Sequence, residues 1–261
     1  MIAFPNINPI ALQIGPLAIH WYAIAYVAGI LLGYEYVGWL NKKRHFFSDA
    51  ARNDLIFYAV LGVLLGGRTG YVLFYNLPYY LAHPGDILHI WQGGMSFHGG
   101  LLGVLVAFCL FARKYHLPWL GVMDYLACAT PIGLFFGRIA NFVNGELFGR
   151  ITDSPLGMVF PRGGPMPRHP SQLYEAGLEG LVLFLILFFI ARSGEVFAWR
   201  GRAAGIFTLG YGIARFSIEF FREPDAQLGF LFGGVTMGQL LCLPMIAIGG
   251  WLILSAKHRA A

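Results

Sequence analysis

The sequence predicts an all-α polytopic membrane protein with seven transmembrane helices. Three observations carry this expectation. Of the 261 residues, 57% are hydrophobic and only 12% charged, against about a quarter charged in an ordinary soluble protein. The mean hydropathy is +0.62. Apolar runs of roughly twenty residues, each able to cross about 30 Å of hydrocarbon as a helix, recur seven times along the chain.

The predicted spans, in order, are 17–40, 55–74, 95–112, 119–140, 173–191, 203–221 and 235–254. No Lys or Arg precedes the first span, and its apolar sequence continues past Ala28, so it reads as a retained helix and not as a cleaved signal peptide. The second carries Arg68 and Tyr71, with Tyr75 just beyond it; the third begins near His98; the fourth ends at Arg138 and Asn141. Residues 141–170 are too polar and too rich in Pro and Gly to cross a membrane, and are expected to form a small periplasmic cap between helices four and five. The fifth span opens with Gln172, Glu175 and Glu179, the sixth holds Arg215 and Glu219, and the seventh holds Gln239. Nothing is left over for a separate soluble domain, so residues 1–261 read as one integral-membrane domain.

Charge sets the orientation. Eleven of the 18 Lys and Arg, from Lys42 to Arg52, Arg113, Lys114, Arg192, Arg200, Arg202, Lys257 and Arg259, follow spans one, three, five and seven. The positive-inside rule then puts the N-terminus in the periplasm and the C-terminus in the cytoplasm. The net charge of +5 is accounted for by this asymmetry, and no aromatic-interleaved basic stripe points to nucleic acid. Cys109, Cys128 and Cys242 lie inside spans, are odd in number and match no metal-ligand spacing, so they read as packing residues. No metal or organic cofactor is implied.

With direction fixed, the polar residues converge on the outer half of the bundle, and only Glu35 falls clearly in the inner half. Three intramembrane arginines left unpaired would cost up to roughly 10 kcal/mol. Pairing and snorkelling near the interface could offset that, and so could a shared polar cavity. The convergence favours a cavity open to the outer leaflet, and hence amphiphilic ligands.

Three constellations fit such a cavity. Tyr211, Arg215, Glu219 and Arg222 recur at four, four and three residues, on one helical face. They read either as a structural ion pair or as guanidinium forks for a phosphate. In "GRIANFVNGELFGR" (137–150) a helix end carrying Arg138 and Asn141 runs into the Asn144-Gly145 turn signal, Glu146 and Gly149. In "QGGMSFHGGLLG" (92–103) His98 sits among glycines that permit close approach of a ligand or of a neighbouring helix; a lone His there is either a packing residue or a general base. Ser171 is expected to cap the fifth span ahead of Glu175. Nucleophile elbow, P-loop and HExxH motifs are all missing from the sequence, so the nucleophile of any reaction would belong to a substrate.

Together, "HWY" (20–22), "SFHGGLLG" (96–103), "GRIANFVNGELFGR" (137–150), "RHPSQLYE" (168–175) and "YGIARFSIEFFREPD" (211–225) closely resemble the prolipoprotein diacylglyceryl transferase family, in order and over nearly the whole chain. The resemblance implies a bacterial inner-membrane enzyme that moves the diacylglyceryl group of phosphatidylglycerol to the lipobox cysteine of prolipoprotein signal peptides, within the lipid bilayer. It implies His98, Arg138 and Arg215 as catalytic residues. Arg138, Asn141, Glu146, Gly149, Tyr22, Tyr211 and Arg215 would contact the phospholipid, and Tyr26, Arg68, Asn144, His169, Gln172, Glu175, Glu219 and Arg222 would support them. Glu146 and Glu219 are expected to orient the arginines. Two routes to the thiolate stay open, a histidine base and an arginine field. Another phospholipid-headgroup enzyme and a lipid transporter remain as alternatives, although no inverted repeat or pair of broken helices supports transport.

Overall fold

The computed structural model describes residues 2–5, 7–224 and 229–259, so Asp225, which closes the fifth motif, lies outside the described residues. Its long elements are helices: α1 (Trp21–Asn41), α2 (Asp49–Phe74), the short α3 (Leu77–Ala82), α4 (Phe97–Lys114), α5 (Trp119–Val143), α6 (Ser171–Glu175), α7 (Leu183–Ser193), α8 (Arg202–Ile218) and α9 (Met237–Ser255). A π-helical stretch, Ala176–Val182, joins α6 to α7, so the chain runs as one rod over Ser171–Ser193. Among the described residues six helices are long and apolar enough to cross a membrane. The sixth predicted span is α8, which has 17 residues and falls short of that length.

The helix ends follow local chemistry. The Ser48 side chain accepts from the Ala51 N–H and starts α2 six residues before the predicted span, since the polar Asp49–Asp54 turn extends the helix beyond the apolar run. Ser96 caps α4 through Gly99 N–H. Thr236 and Gln239 form a reciprocal capping box at the start of α9. The first predicted span is corrected at its start. Residues Leu17–His20 are a strand, β2, paired antiparallel with β1 (Ile10–Ile14), Ile14 opposite Leu17 and Ile10 opposite His20. Gly15, at φ +56°, with Pro16 turns the chain, and a short apolar run flanked by such a turn pairs as readily as it coils.

The chain divides into two compact units. The first, residues 1–40 and 124–261, holds the hairpin, α1, most of α5, the segment after it, and α6 to α9. Inside it α8 and α9 approach closely, with Gly205 against the Gly249 carbonyl and Gly212 against Ile246. The buried Asp124 carboxylate accepts the Gly201 and Ala204 N–H groups at 2.7 and 2.9 Å, anchoring the start of α8. Segment 144–170 is irregular. It folds on a small core of Phe142, Met158 and Phe160, covered by Phe4, Phe148 and Leu173, and is stitched by isolated bridges, Gly149 to Arg222 and Ile151 to Arg168.

The second unit, residues 41–123, is built on α2 and α4. Gly62, Gly66 and Gly70 of α2 face Gly99 and Gly103 of α4, so the two backbones touch. Glycine here serves helix packing. On both units large apolar side chains stand exposed along the helices, among them Leu65 at 60% and Trp251 at 62%, which water-facing helices would hide and lipid-facing helices present.

Candidate functional site

Arg138 and Asn141 lie one turn apart near the C-terminal end of α5. The helix stops because Gly145 takes φ +63° and Leu147 φ +57°, which folds Glu146 back so that its N–H reaches the Asn141 carbonyl at 3.1 Å. The turn signal at Asn144-Gly145 is thus met in the structure.

Around Arg138 the first unit gathers three arginines and three glutamates. Glu175, fully buried, is the hub. Its Oε1 faces the guanidinium groups of Arg215 at 2.6 Å and Arg222 at 2.8 Å, and its Oε2 faces Arg138 at 3.3 Å. Arg138 also reaches Glu179 at 3.3 Å, and Arg215 reaches Glu219 at 2.8 Å. Glu219 lies 3.6 Å from Arg222 and accepts the Thr236 hydroxyl at 3.0 Å. The π-helical turn is where Glu179 sits, fully buried like Glu175. Gly180 in that turn packs on the Phe135 backbone, so the turn lies tight against α5. A buried carboxylate needs a cation beside it, and here each glutamate has at least one.

The arginines are the open side of this cluster. The side chains of Arg138, Arg215 and Arg222 remain 18%, 16% and 12% exposed while those of Glu175 and Glu179 are at 0%. A guanidinium has more donors than these carboxylates take up, which leaves a donor-rich edge fit for an anion. Tyr211 is within electrostatic reach of Arg138, Arg215, Glu175 and Glu179.

Next to Arg138 stands a group of side-chain amides gathered on Glu146. Glu146 Oε1 accepts from Asn141 Nδ2 at 2.9 Å and Asn144 Nδ2 at 3.2 Å, and its backbone carbonyl accepts from Gln172 Nε2 at 2.6 Å. Tyr22, whose hydroxyl donates to Tyr26 at 3.1 Å, is in electrostatic reach of both Glu146 and Arg138. The expectation that Glu146 orients an arginine is therefore corrected, because its carboxylate is taken by asparagine amides; Glu219 does contact two arginines.

Other expectations resolve differently. Ser171 does not cap its helix: Pro170 holds that position, and the Ser171 hydroxyl donates to the Leu147 carbonyl at 3.0 Å. Gly149 is a crossing point, where a Cβ would strike the Phe221 carbonyl and His169. His169 packs edge-on against Phe221 and holds the Tyr174 hydroxyl 3.2 Å from Nδ1; burial lowers its pKa from the ordinary value of 6.5. Arg68 belongs to the second unit, where its guanidinium donates to the carbonyls of Ile87, Gly93, Gly94 and Asp86 at 2.6 to 3.1 Å. Those bonds make it a clamp on the segment before α4. His98, also of the second unit, lies exposed in the first turn of α4 with its ring against Phe97. Thr236 and the pairing of Glu179 are not among the features expected from the sequence. The Thr236–Gln239 capping spacing was a readable signal for the first, and a second Glu one turn after Glu175 in an apolar run was one for the other.

Fold and cluster define a class: a multi-pass helical membrane protein whose first unit holds an arginine–glutamate network with buried carboxylates. The sequence model of prolipoprotein diacylglyceryl transferase matches residues 9–255. A phosphatidylglycerol–prolipoprotein diacylglyceryl transferase of Paramagnetospirillum magneticum is 56% identical over 262 residues, covering 100% of this chain and 97% of its own. Proteins of the same name from Methylocella silvestris (54%, covering 100% and 98%) and Azospirillum brasilense (55%, covering 100% and 98%) are similar to the same extent. The chain belongs to the prolipoprotein diacylglyceryl transferase family.

Proposed function

We propose that this chain transfers the sn-1,2-diacylglyceryl group of phosphatidylglycerol to the thiol of the lipobox cysteine of a prolipoprotein, forming a thioether and releasing glycerol 1-phosphate, the first step of lipoprotein maturation. The observation that carries this reading is the full-length likeness to relatives named for that transfer. The arginine cluster supports it. The phosphodiester of the lipid lies against the exposed edges of Arg138 and Arg215. As the sulfur–carbon bond forms and the glyceryl carbon–oxygen bond breaks, the leaving phosphate gains a second negative charge, which fixed guanidinium groups stabilise most where water is scarce. Asn141, Glu146, Tyr22 and Tyr211 complete the lipid-binding wall, and Gly149 supports it by letting the chain cross closely beside Phe221 and His169.

We place the chain in the bacterial inner membrane as one domain, with seven spans counting α8, the site facing the periplasmic leaflet and residues 141–170 as its cap. The distribution of Lys and Arg, and the place of the arginine cluster where α5 ends and the Ser171–Ser193 helix begins, support this arrangement. The thiol proton leaves either to His98 or, under the arginine field, to solvent. A His98→Gln protein with wild-type turnover and an unchanged pH profile would eliminate the histidine route; a rate lowered at neutral pH and restored at alkaline pH is the outcome expected if His98 is the base.

The direct test incubates the purified protein in detergent with phosphatidylglycerol and a lipobox peptide, beside a Cys-to-Ser peptide, and follows glycerol phosphate release and peptide mass. Release and mass gain that both require the cysteine are expected. Release without peptide modification would make the protein a phospholipid hydrolase instead.

A further inference from the structure

The amide groups around Glu146 are oriented by their donors. Asn144 and Gln172 each turn an N–H onto Glu146, one onto Oε1 and the other onto the backbone carbonyl. Both partners are acceptors only, so the atoms touching them must be nitrogens, and the amide oxygens stand at the other end of each side chain. Those oxygens, Asn144 Oδ1 and Gln172 Oε1, are buried and have no hydrogen-bond partner among the described residues. Gln172 is itself at 0% exposure. An unpaired buried acceptor is costly, and the site would recover that cost from a ligand that brings hydroxyl donors.

We propose that Asn144 and Gln172, gathered with Asn141 on Glu146, form an acceptor-rich subsite that reads the hydroxyl groups of the lipid headgroup. The adjoining arginines bring cationic donors, which suits a phosphate, and the amide cluster brings unpaired neutral acceptors, which suits a polyol. Arg138 and Asn141 lie one turn apart on α5, and Asn141 shares Glu146 Oε1 with Asn144, so one headgroup can span them. The identity of that headgroup, the glycerol of phosphatidylglycerol, rests on the transferase reading. The hydroxyls sit on the leaving group, away from the reacting carbon, so the subsite sets which lipid is used and leaves the chemical step to the arginines.

The test compares dioleoyl phosphatidylglycerol with dioleoyl phosphatidylpropanol, which keeps the charge and chains and lacks the hydroxyls. A site built to pair hydroxyls rejects the analogue strongly, so wild-type kcat/KM is expected to favour phosphatidylglycerol by at least about a hundredfold. In Gln172→Met and Asn144→Ala that ratio is expected to shrink by about tenfold, almost wholly through the loss on phosphatidylglycerol. Because it is a ratio, it is insensitive to the fraction of a variant that folds. Equal use of the two lipids by the wild type, or an unaltered ratio in both variants, would overturn the subsite and leave the transferase reading standing. Equilibrium binding of the same two lipids, followed by native mass spectrometry, separates the two claims. Binding that favours phosphatidylglycerol, with no transfer from either lipid, would support the subsite and overturn the transferase.

Discussion

Glu175 holds its place through three arginines, and that makes it the residue on which the site depends most. Its carboxylate is fully buried and faces Arg138, Arg215 and Arg222, so Glu175→Gln removes the one charge that all three share. Breaking a buried pair from one side leaves an uncompensated charge, a loss of about 3 to 5 kcal/mol. We expect a clearly lowered thermal midpoint in detergent and transfer reduced by roughly two orders of magnitude, as when a donor to a developing anion is misplaced. A Glu175→Gln protein that melts and turns over like wild type would refute the hub. His169 makes a separate prediction about pH. Burial holds its folded pKa below the free value of 6.5, so the unfolded chain binds the proton more readily. Its contribution is complete above about pH 6.5 and is lost as the pH falls through the folded value. Asp86, whose pKa is also lowered, by the Tyr79 hydroxyl, acts only below about pH 4. The thermal midpoint of the wild type should therefore drop between pH 7.5 and 5.5 more steeply than that of His169→Phe, and parallel curves would count against the histidine.

Among the elements, α2 and α4 show why glycine spacing can be read in two ways. The sequence places glycines at 62, 66 and 70 and again at 99 and 103, and nothing in that pattern says whether a ligand or a helix comes close. The structure answers with a helix: a Cβ at Gly66 would lie on the Gly99 carbonyl and the Gly103 Cα. Gly66→Leu should destabilise the second unit by about 1 to 3 kcal/mol through overpacking, whereas Gly85→Ala, with nothing within 4 Å of its added methyl, should melt like wild type. Equal melting of the two variants would argue that the glycine faces are not packed. Most helices were legible because an apolar run in lipid has one stable form. The start of α1 was misread because Leu17–His20 is apolar too, and pairing with Ile10–Ile14 depends on a partner that hydropathy does not weigh. The Arg215–Glu219 pair was legible from its spacing of four. The hub was not, since Glu175 meets Arg138 and Arg215 across 37 and 40 residues and only folding brings them together.

At the scale of the molecule, α8 decides the topology. It has 17 residues and carries Arg215 in its last turn, so by length and composition it is the weakest span, yet Asp124 fixes its start and Arg215 is paired with Glu175 and Glu219. A paired arginine loses most of its penalty in a membrane, which is why we count α8 as a crossing. The count has a consequence at the far end of the chain. With α8 crossing, Lys257 stands on the same side as Ser193; without it, α9 carries Lys257 to the opposite side. In a background with Cys109, Cys128 and Cys242 replaced by Ala, single cysteines at Asp153, Ser193 and Lys257 can be offered a membrane-impermeant maleimide on intact spheroplasts. Seven spans in the orientation set by the Lys and Arg distribution predict labelling of Asp153→Cys alone, with Ser193→Cys and Lys257→Cys reacting only after the membrane is opened. Labelling of Lys257→Cys from outside with Ser193→Cys protected would reduce the count to six and place α8 along the membrane surface, and the arginine cluster would then have to face water instead of lipid.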